Sequence, residues 1–434
     1  EAYASEYYTF SCSAGQYEVS YIKDDGNFEK HSCYNDFSSA NAKMKELGGD
    51  YVVRSSTSLS PTKIVSMNSG LAYSYPARSG DVTMNLYEDP SDRSIYTKTT
   101  YITNHWEMTY HETERLLSDG SRGMIKVSMN GFEGYTDLEY TDLVPSKYIE
   151  KGIAIYLGGN DKTGENEQPF RVIPRQKYYE AVSDGNYVDL VLTYYQVYPR
   201  ANSLEPVAYS SKIGPAPEFM KAGLRYYSSD GIHYYSDRNL TNYVGTDYSY
   251  YQYLPLRSKT NITAPQFEAF LKDSGYYDKS VMKNEAQTFI DAQNKYGCNA
   301  LLVYALACHE SLYGTSNYAV DRNNLFGWNA FDSNPNEATY FESVSQAINE
   351  QMGINLRGFV DITDGRFFNS SIGNKGSGMN VKYASDPYWG VKIAAIAYRI
   401  DKYANNYNGN LSDYNQYDLA LINSFDIDVK LGPG

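Results

Sequence analysis

Residues 300–308, Ala-Leu-Leu-Val-Tyr-Ala-Leu-Ala-Cys, are apolar on every side of a helix. A helix with no wet face has to be enclosed by other elements, so this stretch predicts the centre of a helical domain. It falls well short of the ~20 residues that cross a bilayer, and no membrane span is expected. Helical signals surround it. Thr263 precedes Pro265 at a first-turn position, and Phe267, Phe270 and Leu271 follow at helical spacing. Met282, Ala286, Phe289, Ile290, Gln293 and Tyr296 mark another helix, which Gly297 stops. Val344, Ala347, Ile348, Met352 and Leu356 mark a third. Asp386 is expected to cap a last one carrying Ile393, Ile396, Ala397, Ile400 and Tyr403. Together these predict a mainly α domain over 262–405.

Upstream the pattern changes to short alternating segments. Asp-Gly recurs at Asp25-Gly26, Asp119-Gly120, Asp184-Gly185 and Asp230-Gly231, the dipeptide favoured in two-residue hairpins. The fold expected is therefore multidomain, with mainly β modules before the α domain. Residues 1–75, with a helix over 38–47, read as a small α+β module, and 80–150 as a compact barrel. Residues 151–215 form a β-rich module or linker, with Gly214-Pro-Ala-Pro217 as a connecting segment. Residues 216–261 read as a Tyr-rich hairpin module turning at Asp230-Gly231, and 406–434 as a tail or the start of a further module.

Charge narrows the partners. With 38 Lys plus Arg against 52 Asp plus Glu, the net charge is −14, and the chain is acidic on both sides of Ile262. Nucleic acid is excluded as a partner, because that affinity rests on cations neutralising phosphates. The 47 tyrosines supply rings with a polar handle, which either pack with one edge wet or form a platform for sugars. Glu1 at the start fits a processed chain whose targeting segment has been removed. Cys12 and Cys33 either bridge or remain two thiols, whereas Cys298 and Cys308 flank the apolar helix as small hydrophobes. His309-Glu310 opens like a zinc-binding HExxH, but position 313 is Tyr, so neither metal nor cofactor is expected.

Glu310 stands where the apolar helix ends. A carboxyl there is poorly solvated, which raises its pKa and keeps it protonated near neutral pH. Such a group suits the general acid that protonates a departing sugar oxygen.

The neighbouring motifs carry a resemblance. Glu310-Ser-x-x-Gly314-x-Ser316, Asn323-Asn-Leu-Phe-Gly327 and Tyr383-Ala-Ser-Asp-Pro-Tyr-Trp389 resemble glycoside hydrolase family 73, the endo-β-N-acetylglucosaminidases of the bacterial wall. The likeness covers 262–405 and implies a lysozyme-like fold with a small β-lobe over 328–342. It implies Glu310 as catalytic acid and Tyr383 as a groove residue on the reacting sugar. Asn323, Asn324 and Phe326 would support the groove, while Tyr388 and Trp389 line the cleft or fill the core. His309 would be structural. An inverting enzyme needs a second carboxylate roughly 6.5–9.5 Å from the acid. Glu337 is the first candidate, with Asp332 and Glu342 as alternatives, or the substrate's own acetamide takes that role.

Residues 125–135, followed by Asp142-Leu-Val144, resemble bacterial SH3-like domains, which bind wall peptides or position a catalytic domain. Residues 254–262 are similar to the lead-in of daughter-cell-separating members. The expected activity is hydrolysis of the β-1,4 bond after N-acetylglucosamine in peptidoglycan strands, by a secreted, wall-associated protein of Gram-positive type. A lytic transglycosylase or muramidase, or an inactive wall-binding scaffold, are the alternatives.

Overall fold

The computed structural model describes residues 10–57, 60–74, 83–103, 106–116, 123–157, 170–197, 206–329 and 338–421. The first sheet holds β1 (Tyr17–Ile22), β2 (Phe28–Tyr34), β3 (Tyr51–Thr57) and β4 (Ser60–Met67), in the order β2-β1-β3-β4. Helix α1 (Phe37–Leu47) buries Ala40 and Met44 and starts where Asp36 accepts from the Ser39 amide at 2.8 Å. Cys12 and Cys33 form a disulfide that ties the segment before β1 to β2. Replacing Cys12 with Ser is expected to cost about 3 kcal/mol, since the bridge closes a loop of 21 residues, and a lowered Tm would register the loss.

Seven strands make the second sheet: β5 (Gly70–Ser74), β6 (Thr83–Asp89), β7 (Asp92–Thr103), β8 (Glu107–Leu116), β9 (Gly123–Met129), β10 (Phe132–Asp137) and β11 (Thr141–Pro145). Their order is β11-β5-β8-β9-β10-β6-β7, so the barrel expected over 80–150 is not self-contained. It takes in β5 from the module expected to end at 75. Leu71, Ala72 and Tyr73 of β5 are at most 2 % exposed, and that burial draws the strand into the sheet.

After helix α2 (Ser146–Lys151) come the pair β12 (Ile155–Leu157) and β13 (Phe170–Val172). A four-stranded sheet follows, built from β14 (Tyr178–Ser183), β15 (Val188–Val197), β16 (Pro206–Pro215) and β17 (Arg225–Tyr226), in the order β16-β15-β14-β17. Gly214 and Pro215, expected in a linker, finish β16 instead. Pro215 lies at the end of an edge strand, where its missing N–H costs nothing.

Asp230-Gly231 makes the expected turn, with Gly231 at φ +72°. Tyr227 then bridges Tyr235, and β18 (His233–Tyr235) pairs with β19 (Tyr243–Thr246). Tyr226, Tyr227 and Tyr234 are each buried, so this run of tyrosines packs inward rather than presenting a sugar platform.

The helical region comprises α3 (Tyr250–Tyr253), α4 (Ala264–Asp273), α5 (Ala286–Tyr296), α6 (Ala300–Ser311), α7 (Asn317–Arg322), α8 (Val344–Gly353) and α9 (Trp389–Ala404). As the sequence demands, α6 is the centre: every residue from Ala300 to Cys308 is at most 1 % exposed. No strand occurs among the described residues after β19, so the described part of the expected β-lobe is a folded-back loop in which the Thr339 amide donates to Trp328 O at 3.0 Å. The cap of α9 differs too. Tyr388 occupies the cap position, and Asp386, two residues earlier, accepts from the Tyr388 amide at 2.8 Å.

Two hydrophobic clusters divide the molecule. One runs through the sheets and takes in Tyr388 and Val391, while the other fills the helical region. Among the described residues no helix is long and apolar enough to cross a membrane.

Candidate active site

Immediately beyond Glu310 the chain turns sharply, because Leu312, Tyr313 and Gly314 have φ of +48°, +57° and +76°. Ser311 braces the turn: its hydroxyl donates to Ala307 O at 2.5 Å and accepts from the Gly314 amide at 2.8 Å. A Cβ at Gly314 would stand 2.8 Å from Met282 Cγ, so both this contact and the positive φ require glycine. Ser316 then caps α7 by accepting from the Ala319 amide at 3.3 Å. The Glu-Ser-x-x-Gly-x-Ser pattern is thus a helix end, a brace and a new cap, which together fix the base of Glu310.

The Glu310 carboxyl is largely withdrawn from water. Its Oε1 accepts from Trp389 Nε1 at 2.6 Å. Gly327 backs the other oxygen so closely that a Cβ there would lie 3.7 Å from Oε2. Burial raises the Glu310 pKa, the Trp389 N–H opposes that rise, and the nearby charge of Asp386 adds to it. Asp386 itself is held by Lys392 at 2.5 Å. The Trp389 ring stacks on Tyr383 with centroids 4.8 Å apart. A carboxyl whose burial makes it release its proton less readily than usual, set at the end of a rigid helix, steered by one N–H and flanked by stacked rings, suits proton donation to a leaving oxygen.

Replacing Trp389 with Phe tests this geometry. The lost N–H favoured the ionised carboxylate, so Glu310 is expected to hold its proton more tightly. Activity that needs the protonated acid falls as pH rises through this pKa. The alkaline limb of the kcat/KM profile is therefore expected to move up by about one unit, as rates measured across pH would register.

The predicted binding residues divide by exposure. Tyr383 is half-buried beside Glu310; its hydroxyl accepts from Gln351 Nε2 at 3.1 Å. Asn324 is 1 % exposed, and its amide is spent on Trp328 N, Trp328 O and Thr339 O, so it shapes the loop rather than meeting a ligand. Asn323 likewise donates to Phe341 O at 2.9 Å. Phe326 is buried in the helical core. Trp389 is buried and acts on Glu310 instead of lining an open cleft. Tyr388 turns away altogether: it stacks on Tyr194 at 3.7 Å, in the β-region cluster, because its ring completes that core. Burial pushes the His309 pKa down to about 4, which keeps its ring neutral. Glu342 is exposed where α8 begins, and Asp332 and Glu337 lie outside the described residues.

Two residues of this site escaped the sequence reading. Gln351, fully buried on α8, accepts from Trp328 Nε1 at 2.6 Å and Asn355 Nδ2 at 2.9 Å while donating to Tyr383. A polar residue beside Ile348 and Met352 on a helix's apolar face was its only signal. Lys375 is 2 % exposed, and its ammonium donates to Asn380 O at 2.9 Å and to Ala384 O, the carbonyls on either side of Tyr383. The β9–β10 turn grips the same segment. Asn130 O accepts from the Lys375 amide at 2.8 Å, Asn130 Nδ2 donates to Pro387 O at 3.2 Å, and Thr99 donates to Lys375 O at 2.7 Å. A Cβ on Gly376 would meet Gly131 O at 2.1 Å, so the two loops touch backbone to backbone.

A buried carboxyl with a raised pKa beside stacked rings is the kind of group that acid catalysis at a glycosidic oxygen requires. Residues 286–402 match the glucosaminidase family, described as mannosyl-glycoprotein endo-beta-N-acetylglucosaminidase. The segment that matches begins with α5 and runs almost to the end of α9, so it contains Glu310, Tyr383 and Trp389. Two putative endo-beta-N-acetylglucosaminidases of Streptococcus pneumoniae are 35 % identical over 184 residues, which is 42 % of this chain but only 26 % and 24 % of those proteins. A beta-N-acetylglucosaminidase of Bacillus subtilis is 31 % identical over 121 residues, covering 26 % of this chain and 13 % of its own. The chain therefore spans about a quarter or less of the curated relatives it matches. Staphylococcus aureus autolysin E aligns at 22 % identity over 35 % of this chain and 71 % of its own with a TM-score of 0.29, too loose a superposition to transfer geometry.

Proposed function

We propose that the chain hydrolyses the β-1,4 bond after N-acetylglucosamine in peptidoglycan glycan strands, as an endo-β-N-acetylglucosaminidase of wall remodelling or daughter-cell separation. The observation that carries this is the buried Glu310 carboxyl, its pKa raised and its Oε1 held by Trp389, inside the segment that matches the glucosaminidase family. Glu310 gives its proton to the glycosidic oxygen as the bond breaks. Tyr383, its hydroxyl held by Gln351 and Phe326 O, would meet the sugar with the exposed part of its ring. Attack on the anomeric carbon comes from water activated by Glu337, Asp332 or Glu342, or from the substrate's acetamide.

A secreted, wall-associated location follows from that substrate, and an SH3-like role for 80–150 would be to hold wall peptides. The relatives' names and the three motifs around Glu310, Asn323-Gly327 and Tyr383 support the reading. Digestion of purified wall and mass spectrometry of the products tests it. Fragments ending in reducing N-acetylglucosamine are expected. Reducing N-acetylmuramic acid would mark a muramidase, anhydro ends a lytic transglycosylase, and no products a scaffold.

A further inference from the structure

A cavity of about 510 Å³ lies between β16 and α9. Lys212 on one side and Lys392, Arg399 and Lys402 along one face of α9 bring four cations to it, although the whole chain carries −14. Asp184 lines it too, and three of the cations have partners inside the fold: Lys212 and Lys402 reach the buried Asp189 at 2.7 and 3.0 Å and Asp184 at 3.8 and 3.4 Å, and Lys392 takes Asp386 at 2.5 Å. Arg399 has no carboxylate among the described residues. Its guanidinium donates to the Tyr313 hydroxyl and sits 5.6 and 5.8 Å from the ring centroids of Phe270 and Tyr313. The result is an exposed, oriented donor fork whose charge is unspent, the arrangement that takes a planar carboxylate.

The cleft adjoins the acid. Lys392, which lines the cleft, follows Trp389 by one turn of α9 and holds Asp386, whose charge acts on Glu310, so the cleft starts at the end of α9 that holds the acid. At 1.5 Å rise per residue, Arg399 stands about 15 Å along α9 from Trp389. An extended peptide of about five residues spans that distance. We propose that this cleft binds carboxylates of peptides carried on the glycan strand at Glu310, an assignment that rests on the glycan-hydrolase reading above.

Two measurements on the full chain test it. Triglutamate, titrated calorimetrically, is expected to bind, with Arg399→Gln weakening it about tenfold or more and Arg399→Lys falling between. No binding, equal binding by parent and Arg399→Gln, or tighter binding of glycerol phosphate oligomers overturns the assignment. On polymer, kcat/KM of Arg399→Gln and Lys212→Gln is expected to fall about tenfold on strands that bear peptides and to match the parent on strands stripped of them. A fall on both substrates, or on neither, overturns it. If the parent cleaves neither, the hydrolase reading fails and the triglutamate titration alone decides the cleft.

Discussion

Glu310→Gln is expected to lower kcat by roughly 10²- to 10⁴-fold, the contribution of a positioned general acid, with KM close to the parent's. The amide fills the same volume and its oxygen still accepts from Trp389 Nε1, so the site keeps its shape. It has no acidic proton to give. Release of reducing ends from purified glycan strands measures the loss, and near-parent turnover would remove Glu310 from the mechanism.

Stability should move the other way. Burial raises the Glu310 pKa above its ordinary 4.5, so the folded protein keeps a proton that the unfolded chain has released. Stability then falls as pH rises through that window, because the folded state binds more protons there. Glutamine escapes this penalty, and the variant is expected to melt no lower than the parent at pH 7. Lost turnover with unimpaired melting separates chemistry from misfolding.

Lys375→Met is expected to be the most damaging change outside Glu310. Its two carbonyl acceptors, on Asn380 and Ala384, belong to the backbone and cannot be replaced with the side chain. Each buried acceptor left without a donor costs about 1–3 kcal/mol. These carbonyls bracket Tyr383, and the same segment leads into Trp389, so turnover is expected to fall along with Tm.

The pH dependence gives a second readout. Burial pushes the Lys375 pKa down to about 8 from 10.5, so the folded protein sheds this proton before the unfolded chain does. The unfolded state binds more protons between those values, and stability from this group rises with pH across that window. The parent is expected to show that rise relative to Lys375→Met in denaturant unfolding from pH 8 to 10. Identical slopes would mean that the lysine is solvated rather than clamped.

Local signals carried much of the architecture. The apolar run 300–308 specified a central helix because a helix apolar on all faces has no other stable place. Asp25-Gly26, Asp184-Gly185 and Asp230-Gly231 each turn where expected, since glycine reaches positive φ without strain. Glu310 stood out through the motifs around it, since a carboxyl at the end of such a helix faces water unless other elements cover it. The disulfide was not. Cys12 and Cys33 were compatible with two states until the chain placed them together.

Tertiary structure alone decided what surrounds the acid. Tyr388 and Trp389 are adjacent in sequence, yet one ring completes the core of the β region and the other donates to Glu310. Nothing local distinguishes two neighbouring aromatic residues at a helix start; the partners on either side do. The same holds for Lys375, which the sequence did not single out and which is clamped only because Asn130 and Gly131 close over its segment. The sequence by itself determined the enclosed helix and its terminal carboxyl, because burial follows from periodicity within one element. Which groups steer that carboxyl depends on contacts between elements far apart in sequence, such as Trp389 with Glu310, and only the packing of those elements against one another brings them together.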